Sequence, residues 1–355
     1  MDKGFLFLED GTYFEGRWHG GSNRAGEVVF NTSHNGYEEI ATDPSYFRQI
    51  VLMTAPMQGN YGASTEFWES DKINIEGFLS LEIQDSHRDR SWMLRLLEAQ
   101  IPILTEFDTR KLTLYLREKG TCWGSLIKAE SSIAARSEAL RLIEVAKAHS
   151  KDWAFEVSTP SAYEIKGDKN NGIRVAVLDF GLKKNILREL KDRCSIVKVF
   201  PSRASFEEIM QFQPNGVLLS NGPGDPGDVE TAVETIKKLL GQVFIFGICM
   251  GHQLLGLALG AKTYRLQFGH RGSNHPIRDK ILDKVYMTSQ NHGYAIDAET
   301  IPSDVEITHI NLNDQTVSGI RCLNKKCFSV QFHPESHPGP REAVELFDTF
   351  IRNLL

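Results

Sequence analysis

The chain has 355 residues, 41% hydrophobic and 24% charged, and 40 Lys plus Arg against 46 Asp plus Glu leave a formal charge of −6. This composition is ordinary for a globular protein, and mild acidity without a basic tract gives no footprint for a nucleic-acid backbone. No apolar run reaches the roughly 20 residues that span a bilayer, and the acidic start MDKGFLFLEDGTYFEG does not read as a secretory signal, so a cytoplasmic protein without a membrane partner is expected. The length suggests about two domains.

Taken in chain order, FLFLEDGTYFEGR predicts two strands around the turn signal Asp10-Gly11, and GEVVFNTS and QIVLMTAP predict further strands. Residues 130–150 predict an amphipathic helix with a serine N-cap nearby. The stretch STPSAYEIKGDKNNG, from Ser158 to Gly172, is rich in Pro, Ser, Asn and Gly. It places a linker over 151–172, between domains at 1–150 and 173–355. From Ile173 the pattern alternates. IRVAVLDF, SIVKVF, NGVLLS and VFIF predict strands, separated by helices over LKKNILRELKDR, SFEEIMQF and VETAVETIKKLL and followed by one over MGHQLLGLALG. Short continuous apolar strands alternating with helices imply an α/β fold with an open, mostly parallel sheet covered on both faces. Strands near VYMTS, VEITHI, TVSGIR and FSVQF follow, and a final helix over REAVELFDTFIRNLL.

Five cysteines, Cys122, Cys194, Cys249, Cys322 and Cys327, form no C-x-x-C pair. Most of them read as small buried apolar residues, with at most one reactive. Cys249 stands apart. Gly247-Ile-Cys249-Met-Gly251 joins a strand to a helix and fits a nucleophile elbow with cysteine in place of serine. Such a turn projects the sulfur from the sheet, and the helix start offers free amides and a dipole that favour a thiolate and can stabilise an oxyanion. A base is found in FSVQFHPESHPGP, where a strand is expected to end at His333. If His333 and Glu335 are extended, they point the same way, so that Glu335 orients the imidazole. Gly222, Gly224 and Gly227 match G-x-G-x-x-G formally, but Pro223, Pro226, Asp225 and Asp228 do not suit a pyrophosphate. With no P-loop either, this chain is not expected to bind ATP. His252, His270, His275 and His292 have no metal-ligand spacing and read as hydrogen-bonded side chains.

The three pieces SNGPGDP, FGICMGHQ and QFHPE, in that order, resemble a class I glutamine amidotransferase domain. Upstream, FNTSHNGYEEIATDPSYFRQIV from Phe30, GNYG from Gly59 and DTRKLTLYLREKG from Asp108 resemble the first domain of the carbamoyl phosphate synthetase small-chain family. VLDFGLKKNILREL, FGHRGSNHPI and SQNHGYAID resemble its second. The likeness spans nearly the whole chain. It implies a β-rich α+β domain ahead of the amidotransferase domain. It implies Cys249 as nucleophile, His333 as general base and acid, Glu335 as its orienting partner, and an oxyanion hole of amides near Gly222 and Met250. The family's glutamine contacts fall on Ser45, Gly222, Gly224, Met250, Gln253, Asn291, Gly293 and Tyr294, and a family lysine near the site on Lys183. Met250 replaces a commoner leucine and Tyr294 a phenylalanine.

The resemblance further implies L-glutamine as substrate and a large, ATP-using synthetase subunit as partner, fed through an internal ammonia tunnel, in a heterodimer that can assemble further. The first domain would supply much of the partner interface. No cofactor is expected in this chain, ATP and Mg belonging to the large subunit, and the product would feed arginine and pyrimidine synthesis. The rivals are another class I amidotransferase or a free-standing glutaminase, which would run at full rate alone, and a non-catalytic scaffold, which would not depend on Cys249.

Overall fold

The computed structural model describes residues 2–149 and 151–355. The chain up to His149 forms one compact unit and Lys151–Leu355 a second.

In the first unit, strands Lys3–Leu8 and Tyr13–Gly20 pair antiparallel. The turn between them has Gly11 at φ 86° and the Thr12 amide donating to the Asp10 carboxylate at 2.8 Å. Among the described residues they open a closed barrel that continues through Ile103–Thr105, Gly77–Leu79, Gln49–Met53, Arg24–Asn31 and Cys122–Lys128. Every residue of Gln49–Met53 is buried, which is why the run Ile50–Met53 is apolar without interruption. Phe5 and Phe7, two apart and so on one face, pack with Ile127 against Ala135 and Ala139 of the helix Ser132–Lys147. The Ser131 hydroxyl caps that helix by accepting from the Ala134 amide at 3.3 Å. The predicted helix ended at Ser150, which lies outside the described residues. Val29, Val51 and Phe78 pack instead against Tyr37, Trp92 and Leu96.

The second unit is built on a ten-stranded sheet. Its parallel centre runs, in spatial order, Ile196–Pro201, Arg174–Asp179, Gly216–Leu219, Phe244–Ile248 and Cys327–Val330. Alternate residues of these strands enter two cores. Ala176, Leu178, Val217, Leu219 and Ile245 face the helices Glu230–Leu239 and Met250–Leu259. Val175, Val177, Leu218, Phe246 and Ile248 face the helices Lys184–Lys191 and Glu345–Arg352. Both faces are therefore covered, as the continuous apolar runs require. Beyond Cys327–Val330 the sheet becomes antiparallel through Val317–Cys322 and Glu306–Asn311 to the long hairpin Thr263–Asp279 and Lys284–Ile296.

The segment 151–172, expected as a linker, is part of this second unit. It carries a helix, Trp153–Val157, and a strand, Tyr163–Lys166, that pairs antiparallel with Ile196–Pro201 and edges the sheet. An edge strand exposed on both faces has no need of apolar residues, so its composition mimics a loop.

Candidate active site

Cys249 follows the strand Phe244–Ile248 and precedes the helix Met250–Leu259, with φ 55° and ψ −103°. A positive φ is rare for a residue with a side chain and persists where the surroundings impose it. Here the surroundings are backbone. The Cys249 amide donates to Val330 O at 2.9 Å and the Gly251 amide to Ser220 O at 2.9 Å. A Cβ on Gly247 would fall 2.6 Å from Gly251 O, and one on Gly251 would fall 2.2 Å from Leu219 O. The two glycines thus let strand, turn and helix close up around the cysteine. The thiol does not project into solvent as the elbow suggested. Cys249 is 2% exposed and its Sγ lies 3.5 Å from Asn291 O.

His333 arrives differently from the sequence expectation. The strand ends at Val330, before His333, whose amide donates to Ser289 O at 2.9 Å. Pro334 and Glu335 then form a turn closed by the Ser336 amide on His333 O at 3.1 Å. The extended geometry is therefore replaced by a reversal of the chain, which brings Glu335 Oε1 to 2.7 Å from His333 Nδ1. An ionised carboxylate only accepts, so Nδ1 carries the proton. Nε2 is buried with no nitrogen or oxygen partner, available to the sulfur. Lys183, which with Glu335 is almost fully buried, places its Nζ 3.1 Å from the same Oε1 and donates to Ser336 O at 2.6 Å.

The charges support one another. Burial alone would raise the Glu335 carboxyl, but the Lys183 ammonium and the His333 ring outweigh it and hold it down at about 2. Burial opposes the His333 cation, yet the Glu335 carboxylate and then Cys249 raise its proton affinity above that of an ordinary imidazole. Glu335 in the unfolded chain titrates near ~4.3. Its contribution to stability is therefore complete above that pH and is lost as pH falls toward 2; that of His333 is complete below ~6.5 and is lost as pH rises through its elevated folded value. Glu335→Gln is expected to cost about 3–5 kcal/mol near neutral pH, the usual cost of breaking a buried pair. Urea midpoints should show this deficit shrinking between pH 4.5 and pH 2.5; a pH-independent deficit would contradict it.

Opposite the elbow, the loops after Arg174–Asp179 and Gly216–Leu219 are stitched together. The Phe180 amide donates to Ser220 Oγ at 2.9 Å and the Lys183 amide to Asn221 Oδ1 at 3.1 Å. A Cβ on Gly222 would meet Phe180 O at 2.1 Å, and Gly224 has φ 93°. Asp179 shapes the first loop by accepting from the Gly181 and Leu182 amides at 2.9 and 2.8 Å.

Of the remaining predicted contacts, Met250 puts its side chain into the core beside Leu219 and Leu254, so a methionine there changes packing and not the site. Gln253 is committed through Nε2 to Tyr294 O at 2.8 Å and Gln331 Oε1 at 3.1 Å. Asn291 is buried, while Gly293 and Tyr294 are half-buried on the strand Lys284–Ile296. Ser45 belongs to the first unit, in the turn Pro44–Tyr46, its amide donating to the Asp43 carboxylate at 2.8 Å. Sequence reasoning missed Asn185, whose Nδ2 donates to Glu335 O. The one signal was a polar residue at a buried position of an otherwise amphipathic helix. Among the histidines, His252 Nδ1 lies 2.8 Å from Ser329 Oγ, His270 Nε2 2.7 Å from Asp314, and His292 Nδ1 2.7 Å from Tyr294 O. Among the described residues no cluster of three or more His, Cys, Asp or Glu side chains could hold a metal ion, and no helix is long and apolar enough to cross a membrane.

A family model described as glutamine amidotransferase class-I matches residues 176–353, and one described as the CPSase domain of the carbamoyl-phosphate synthase small chain matches residues 6–126. The chain is 46% identical over 353 residues to a protein named carbamoyl phosphate synthase small chain from Symbiobacterium thermophilum, covering 97% of this chain and 96% of that one. Proteins of the same name from Bacillus caldolyticus (46%, 98% and 95% covered) and Methanocaldococcus jannaschii (44%, 98% and 98%) are similar to it at like coverage. With a buried Cys249 elbow and a His333–Glu335 pair inside the matched amidotransferase segment, the chain belongs to the carbamoyl phosphate synthase small-chain family.

Proposed function

We propose that the chain is the glutaminase of a glutamine-dependent carbamoyl phosphate synthase and that Cys249, His333 and Glu335 carry the reaction. The observation that supports it most is the coincidence of a positive-φ cysteine at a helix start with a buried histidine held by a carboxylate and a lysine. Cys249 Sγ attacks the side-chain carbonyl carbon of L-glutamine while His333 takes the thiol proton. The oxyanion is met by amides near Gly222 and by Met250 N–H, the first of its helix and so a donor that the helix leaves unpaired. The C–N bond breaks as His333 returns its proton, releasing ammonia and leaving a glutamyl thioester. Water, deprotonated by His333, then attacks the thioester; the thiol is restored and glutamate leaves. Glu335 stabilises the imidazolium at each stage, and Gly224, Gln253, Asn291, Gly293 and Tyr294 remain the proposed glutamine contacts.

Ammonia is largely protonated in neutral water, so it is best made where it is used. The proposed consumer is a large subunit that holds ATP and Mg and receives ammonia through an internal tunnel, in a cytoplasmic heterodimer serving arginine and pyrimidine synthesis. The first unit is its proposed docking region. Removal of residues 1–150 should abolish complex formation on gel filtration, and a normal complex without them would refute that role. The test of the whole reading is reconstitution with the same organism's large subunit, comparing glutamine with ammonium as nitrogen source.

A further inference from the structure

Glu335 is delivered by the segment from His333 to Arg341, which has almost no regular structure of its own. Ser336 and His337 have φ of 66° and 54°, a conformation that side-chain-bearing residues hold only under constraint. The constraint is a series of main-chain carbonyls, each taken by a side chain. Asn185 Nδ2 donates to Glu335 O and Ser336 Oγ to Gly339 O. Lys183 Nζ donates to Ser336 O and Ser289 Oγ to Pro338 O, both at 2.6 Å. At the far end Arg341 Nη2 lies 3.1 Å from Glu189 Oε1. Asn185 and Glu189 are both buried and four residues apart on the helix Lys184–Lys191, hence on one side of it. That helix is fixed to the sheet by Ile186 and Leu190 in the core, so it can brace the segment at both ends.

We infer that Asn185 is a positioning residue for glutamine hydrolysis: its carboxamide fixes the peptide plane after Glu335 and thereby aims the Glu335 carboxylate at His333. This rests on the function proposed above. Lys183 and Asn185 then have separate tasks. Lys183 supplies charge to the carboxylate besides its bond to Ser336 O. Asn185 is neutral and acts on geometry alone. A mis-set Glu335 leaves the substrate contacts in place and misaims the His333 ring that must move the proton between sulfur, leaving nitrogen and water. The loss should therefore appear in kcat and not in KM.

The experiment uses the assembled synthase carrying Asn185→Asp, which keeps the shape and replaces the donor by an acceptor facing Glu335 O. Asn185→Ser serves if Asn185→Asp does not fold. Glutaminase kcat and KM, ammonium-dependent synthesis and the thermal midpoint are measured beside wild type. The expected result is a kcat about ten- to a hundredfold lower, as for an unsatisfied buried group, with KM and the ammonium rate within about threefold. A kcat within twofold of wild type overturns the proposal. Equal losses in kcat, KM and the ammonium rate with a lowered midpoint also overturn it, making Asn185 a fold element only. A wild-type complex that hydrolyses no glutamine instead removes the proposed function, and this inference falls with it.

Discussion

Cys249→Ser in the assembled synthase should reduce glutamine-dependent carbamoyl phosphate formation by about a thousandfold or more, as loss of a catalytic nucleophile does, while ammonium-dependent formation stays within about twofold. The substitution is nearly isosteric. The elbow is set by Val330 O, Ser220 O and the two glycines, none of which depends on sulfur, and a serine hydroxyl can donate to Asn291 O as the thiol does. The loss is therefore chemical: at neutral pH an alcohol is a far weaker nucleophile than a thiol with an adjacent imidazole. The ammonium reaction by-passes the thioester and needs no thiol. Two other outcomes would redirect the interpretation. Unchanged glutamine-dependent synthesis would make this chain a scaffold. A full glutaminase rate without the large subunit would make it a free-standing hydrolase.

How far the sequence reveals this site differs from piece to piece, for physical reasons. The elbow is legible because its glycines answer a local steric demand, with backbone atoms closer than 3 Å to any added Cβ. The parallel strands are legible because burial on two faces leaves an uninterrupted apolar run. The pairing of His333 with Glu335 is legible as a pair, but the route to it is not. Nothing in HPE distinguishes an extended chain from the turn that the Ser336 amide closes. The strand Tyr163–Lys166 was hidden because it pairs on one edge only and buries almost nothing. Asn185 was hidden for another reason. Its partner is a main-chain carbonyl 150 residues away, and a carbonyl leaves no trace in the sequence. Lys183 emerged from family likeness, and its buried pairing with Glu335 is likewise a long-range fact.

Gly251→Ala is expected to disable the site while leaving most of the fold intact. The new methyl carbon would stand 2.2 Å from Leu219 O and 2.6 Å from Leu219 C. Neither neighbour can yield easily, because Leu219 is paired in register with both Leu178 and Gly247 at the middle of the parallel sheet. The helix Met250–Leu259 must therefore retreat, by about 1 Å to reach ordinary contact. Its retreat breaks the Gly251 amide bond to Ser220 O and draws Cys249 away from His333 and Asn291. Overpacking of this kind costs about 1–3 kcal/mol, and the lost buried hydrogen bond adds to it. A misplacement of about 1 Å at a reacting centre costs on the order of a hundredfold in rate. Glutaminase activity should fall by that factor and the thermal midpoint by several degrees, with ammonium-dependent synthesis retained at temperatures where the complex is folded. Gly241→Ala is the control. A Cβ there meets nothing within 4 Å, but φ is 77°, so it should cost some stability through backbone strain and no glutaminase activity. Equal losses of activity in both variants would show that the tight closure around Cys249 is not what the reaction requires.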